Sequence, residues 1–188
     1  MRLFIAIDID EKNKAALDNL QAQFRSKADV RKGDVKWVAV DNIHLTLKFL
    51  GEVDENKLPE ISKITEETAS SYKPFQLAVE NVGYFGGKSA TVLWVGTGEG
   101  TGALLQIQKN LETRLAAIGY PAEEREFSSH ITIARIKNHK AGVKIAQLAQ
   151  EYKNFKLGTL SVNSICVYKS QLTPDGPIYT LLGSYKLK

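Results

Sequence analysis

The chain has 188 residues, 43% hydrophobic and 24% charged, which suits one well-filled core and excludes disorder, low-complexity tracts and fibrous repeats. Its net charge of +4 is compatible with a polyanionic ligand, and equally with an ordinary solvated basic surface. A single cysteine, Cys166, excludes an internal disulfide and a cysteine-cluster zinc site, and no segment approaches the length of a membrane span.

In chain order, "RLFIAIDI" has the pattern of a buried strand. It is too short for a signal-peptide core and lacks a cleavage site, so a soluble, cytoplasmic protein is expected. A helix follows at 11–27, with Ala16, Leu17, Leu20 and Phe24 at helical spacing. "VKWVAV" and "IHLTLKFLG" are strand-like, with Gly51 closing the second. The next helix covers 54–71, has Leu58, Ile61 and Ile64 on one face, and is capped by Asp54. "FQLAVENVGYF" and "ATVLWVGT" flank "GGKS" as a hairpin. Residues 101–118 form the clearest amphipathic helix. Then come a strand at "HITIARI", a helix at "AGVKIAQLAQEY", and strands "LSVNSICVYKS" and "IYTLLGSYKL" around the turn "TPDGP". Short turns between neighbouring strands argue for an α+β fold with largely antiparallel sheets.

Two glycine-rich stretches resemble nucleotide loops and fail as such. "GYFGGKS" lacks the first glycine of a phosphate-binding loop, because that position is Val82, and a strand rather than a helix follows it. "GTGEGTG" has Thr101 where a dinucleotide fingerprint needs its third glycine.

The informative feature is a repeat. His44-Leu45-Thr46-Leu47 and His130-Ile131-Thr132-Ile133 share one pattern, and only three histidines exist in the chain. Side chains alternate along a strand, so His44, Thr46 and Lys48 fall on one face, with Leu45, Leu47 and Phe49 on the other. His130 and Thr132 likewise share a face, and strict alternation puts Arg135 opposite them. Each strand precedes a helix, as a duplication would leave it. The apolar set can bury, which leaves the histidines and threonines lining something other than core.

A metal site would want carboxylates or thiolates beside the histidines, and a serine hydrolase would want a nucleophile elbow; neither accompanies these strands. Concerted acid–base chemistry at phosphorus fits better. One imidazole removes a proton from the attacking oxygen and the other donates one to the leaving oxygen, in line across phosphorus. Thr46 and Thr132 can donate to the non-bridging oxygens as charge builds. Neither cofactor nor metal is required.

"HLTLKFLGEV" and "HITIARIK" resemble the two HxTx motifs of the 2H phosphoesterase superfamily, and most of all its RNA 2′,3′-cyclic phosphodiesterases, formerly called 2′-5′ RNA ligases. "RLFIAI", "FQLAVENVGYFGGKSATVLWVG" and "YKSQLTPDGPIY" extend the resemblance along the whole chain. It implies that residues 1–188 form a single two-lobed, duplicated α+β domain, with helices on the outer faces of its sheets and a cleft between the lobes. It implies hydrolysis of a terminal 2′,3′-cyclic phosphate on RNA to a 2′-phosphomonoester, with His44 as proton donor and His130 as proton acceptor. Thr46, Thr132 and Arg135 would hold the phosphate. The substrate would be RNA with cyclic-phosphate ends, such as tRNA fragments, or a cyclic nucleotide, handled by a monomer. Where the family has proline before the second histidine, this chain has Ser129, an expected loosening of the strand start.

Two competing functions use the same residues: ATP-independent 2′-5′ ligation, with an RNA 5′-hydroxyl replacing water, and RNA-end binding without turnover. Elsewhere, His139 is expected to be solvated in a loop, Phe127 to pack in the core, and Cys166 to act as a small buried hydrophobe.

Overall fold

The computed structural model describes residues 1–174 and 176–188. Strand β1 (Arg2–Asp8) leads to helix α1 (Glu11–Lys27), then to β2 (Val35–Trp37), β3 (His44–Glu52) and α2 (Leu58–Ser70). β4 (Phe75–Phe85) and β5 (Val92–Thr97) form a hairpin before α3 (Thr101–Ala116). β6 (His130–Ile136), α4 (His139–Glu151), β7 (Lys156–Val162), β8 (Ser164–Thr173) and β9 (Gly176–Lys186) complete the chain. In the turn "TPDGP" between β8 and β9, Asp175 lies outside the described residues.

The named strands pair antiparallel in the order β7-β4-β5-β6-β3-β1-β8-β9, with β2 also on β6. The sheet is two half-sheets, β7-β4-β5-β6 and β3-β1-β8-β9. They meet where β3 and β6 pair at a single register step, Leu45 opposite Ile131. So brief a seam leaves two lobes, and it falls within both repeated motifs.

The helices bury the apolar side of the strands. Leu17, Leu20 and Phe24 of α1 and Leu104, Ile107, Leu111 and Leu115 of α3 are fully buried, as are Leu45, Ile131 and Ile133. Each such side chain contributes about 1.5–3 kcal/mol relative to exposure. α3 packs on β3 and α4 on β6, so the leucines and isoleucines of the two motifs face helices and the opposite face stays open.

Three predicted elements differ. "VKWVAV" gives only the short β2, and residues 40–42 turn as a 3₁₀ helix just before His44. "LSVNSICVYKS" is two strands: β7 pairs with β4 in one half-sheet and β8 with β1 in the other, so the chain crosses between lobes at Asn163. Asp54 caps a 3₁₀ turn at Glu55–Lys57, which runs into α2 at Leu58.

Candidate active site

The repeated motifs depart from strict alternation at the same place. In β3, Ala6 pairs with Thr46 but Ile5 with Lys48, so Leu47 is an extra residue. Such a bulge turns two successive side chains to one side. Leu47 and Lys48 are therefore both buried, and Phe49 swings outward to 59% exposure. In β6, Trp94 pairs with Thr132 and Leu93 with Ala134, so Ile133 is extra, Ile133 and Ala134 are buried, and Arg135 is exposed. The expected faces of Lys48, Phe49 and Arg135 are thus all reversed. Arg135 stands on the His130 side, Phe49 on the His44 side, and Lys48 is in the core.

Each bulge is backed by a buried polar group from a helix. Lys48 Nζ donates to Glu112 Oε2 of α3 at 2.8 Å and to the Pro121 carbonyl at 3.0 Å. Glu112 Oε1 accepts from Gln108 Nε2 at 3.0 Å, so the buried pair has further partners. Behind β6, Gln21 Nε2 of α1 donates to the carbonyls of Ile133 (2.8 Å) and Val38 (2.9 Å).

Both histidines are tethered alike. His44 Nδ1 lies 2.8 Å from the Asn42 carbonyl and His130 Nδ1 lies 2.7 Å from the Ser128 carbonyl. A carbonyl can only accept, so Nδ1 carries the hydrogen in each ring and Nε2 is left for other work. With Leu45 opposite Ile131, the ladder sets His44 beside Thr132 and Thr46 beside His130 on the open face. Directly opposed Cβ atoms lie about 5 Å apart. The two histidines and the two threonines therefore stand on adjoining strands of the open face, around the seam.

The surroundings of the rings are unequal. His44 stacks on Phe4 at 4.7 Å and meets Tyr179 edge-on at 5.3 Å. Burial pushes its pKa below the ordinary imidazole value, and Arg135 adds to that, while the Asn42 carbonyl and the charge of Asp8 pull it back up. Burial raises Tyr179 above the usual phenol range. His130 meets Phe85 edge-on at 5.0 Å and Trp94 at 6.4 Å. The Trp94 ring lies so close over Gly83 that a Cβ there would come within 2.2 Å of it, so that position requires glycine.

Ser129 is anchored rather than loose: its hydroxyl accepts from Thr97 Oγ1 at 2.8 Å, and Thr97 Oγ1 in turn accepts from Thr101 at 2.8 Å, at the start of α3. The hydroxyl chain does the restraining expected of proline. Cys166 is buried as expected, and burial raises its thiol to about 11, far from a thiolate nucleophile. His139 is not in a loop: it opens α4 behind the cap Asn138. Phe127 packs against the core from a half-buried position. "GGKS" is the expected hairpin turn, with Gly86 and Gly87 at positive φ. Sequence reasoning missed Asp8, Phe4, Tyr179, Gln21 and Glu112, of which only Asp8, a carboxylate closing an apolar strand, carried a visible signal. Among the described residues no group of three or more His, Cys, Asp or Glu could hold a metal ion, and no helix is long and apolar enough to cross a membrane.

A family model described as the 2′-5′ RNA ligase superfamily matches residues 9–174. A Methanothermobacter thermautotrophicus protein named RNA 2′,3′-cyclic phosphodiesterase is 32% identical over 188 residues, covering 100% of this chain and 99% of that one. A Thermotoga maritima protein of the same name is 37% identical over 183 residues, covering 97% and 93%. Among solved structures, TT0787 of Thermus thermophilus superposes with a TM-score of 0.81 at 28% identity, covering 100% and 98%. E. coli LigT complexed with 3′-AMP gives 0.77 at 25% identity, covering 99% and 97%.

Proposed function

The chain belongs to the 2′-5′ RNA ligase superfamily, and on that footing we propose that it is a metal-independent RNA 2′,3′-cyclic phosphodiesterase in which His44 and His130 are the acid and base. Full-length relatives carrying that name support the reaction class. One observation supports the chemistry most: both histidines commit Nδ1 to a carbonyl two residues back, leaving two Nε2 atoms on one open face. A binding module for RNA ends would need cations there, not two rings held in the same tautomer.

In the proposed reaction a water oxygen attacks phosphorus and its proton passes to His130 Nε2. The bond from phosphorus to O3′ breaks, and O3′ takes the proton of His44 Nε2, leaving a 2′-phosphomonoester and a free 3′-hydroxyl. Thr46 and Thr132 donate to the non-bridging oxygens, and Arg135 balances their charge. Exchange with water then reprotonates His44 and deprotonates His130. His130 suits the water-activating role because its Ser128 tether lies at the exposed side, whereas the His44 tether is partly buried.

The test is product analysis on an oligonucleotide ending in a 2′,3′-cyclic phosphate. A 2′-phosphate product is expected; a 3′-phosphate, or none, would refute the assignment. Ligation onto an RNA 5′-hydroxyl would use the same groups, with that hydroxyl in place of water. It is favoured instead if tRNA halves give joined rather than hydrolysed product.

A further inference from the structure

Asp8 closes β1, and its Cα pairs with that of His44, so the two side chains leave the sheet on the same face. Its carboxylate is fixed in place. Tyr168 Oη donates to Oδ1 at 2.6 Å, and Cys166 Sγ donates to Oδ2 at 3.5 Å. The stack runs on: Tyr168 lies against Phe4 at 5.4 Å, and Phe4 against His44 at 4.7 Å. On the other lobe, the outer neighbour of His130 is Gly96 of β5, which has no side chain to offer. The tethers and threonines of the two motifs are matched, but this neighbour is not.

We propose that Asp8 is the positioning residue that makes the two histidines unequal, its charge offsetting part of the burial that opposes a proton on His44 and so helping that ring serve as donor to the leaving oxygen. The inference rests on the acid–base reading above. Asp8 acts through charge, since His44 Nδ1 is already bonded to Asn42. Other groups face His44 from each packed element. Arg135 of β6 opposes the proton, Tyr179 of β9 presents a ring edge, and Thr132 of β6 is uncharged. Tyr168 and Cys166 of β8 are spent on Asp8, and Lys48 of β3 is turned into the core and neutralised by Glu112.

The experiment compares the wild type with Asp8→Asn and Asp8→Glu by pH–rate profile and by NMR titration of the His44 ring. The donor must start protonated, so activity is lost on the high-pH side as it deprotonates. Asp8→Asn should move that limb down by about half to one pH unit, which is roughly a three- to tenfold loss of kcat on that limb, and leave the low-pH limb in place. Asp8→Glu should restore the limb, which a merely structural role would not require. The His44 titration should fall in the Asn variant by a similar amount. An unmoved His44 titration, or movement of the low-pH limb instead, overturns the inference. The NMR arm decides it even without turnover, whereas a wild type inactive on cyclic phosphate refutes only the functional reading.

Discussion

Phe49 and Arg135 stand at the same step of two matching strands, each three residues beyond its threonine and each turned onto the histidine face by a one-residue bulge. Because β3 and β6 run antiparallel through Leu45 and Ile131, these equivalent positions lie toward opposite ends of the open face. One end offers an aromatic ring, the other a guanidinium. Under the proposed function, a terminal nucleotide would set its base against the ring and its phosphate against the cation.

Phe49 is 59% exposed on the histidine face, so its ring is free to take a base against it. Stacking of a base on an aromatic is worth about 1–3 kcal/mol by alanine substitution. Phe49→Ala is therefore expected to weaken binding of a 2′-phosphorylated nucleotide by roughly fivefold or more, with Phe49→Trp retaining affinity. Titration calorimetry with the product nucleotide reads this directly.

For Arg135, the expected loss is one of phosphate recognition. Arg135→Ala should lower kcat/KM by about tenfold or more, and Arg135→Lys should recover only part, because an ammonium cannot reproduce the two-pronged fork. Steady-state kinetics on a cyclic-phosphate oligonucleotide would show equal rates if the guanidinium plays no part.

Removing Lys48 would leave Glu112 as an unpaired buried charge. Lys48→Met is expected to cost about 3–5 kcal/mol, and adding Glu112→Leu should recover much of it. Thermal unfolding of the two variants checks this. Equal stabilities would mean that the pair does not hold the bulge.

The depressed pKa of His44 also makes stability depend on pH. The unfolded chain binds its proton near 6.5 and the folded one only at lower pH, so folding is favoured above that value and weakened as pH falls through and below it. His44→Phe should flatten that part of the profile, read as Tm against pH from about 7.5 to 5. An unchanged slope would mean that burial of the ring carries no such penalty.

The paired motifs were legible in the sequence because a two-residue period sorts His44, Thr46, His130 and Thr132 onto one face without knowledge of their partners. The faces of Lys48, Phe49 and Arg135 were not, because a bulge adds one residue and reverses all that follows. The groups that stabilise those bulges are remote: Glu112 lies 64 positions from Lys48, and Gln21 lies 112 from Ile133. The same remoteness hid Asp8, whose bond to Tyr168 spans 160 positions. The crossing at Asn163 was hidden for a different reason: two consecutive strands of similar composition carry no local mark that they belong to different half-sheets.

The most direct test of the acid–base pair is single-turnover hydrolysis of a cyclic-phosphate-terminated oligonucleotide in EDTA, comparing wild type with His44→Ala and His130→Ala. The wild type should keep its full rate under chelation. Each alanine variant should lose about 10²–10⁴-fold in rate, and the double variant little more than either alone. A wild type silenced by EDTA, or alanine variants that keep the wild-type rate, would contradict the account.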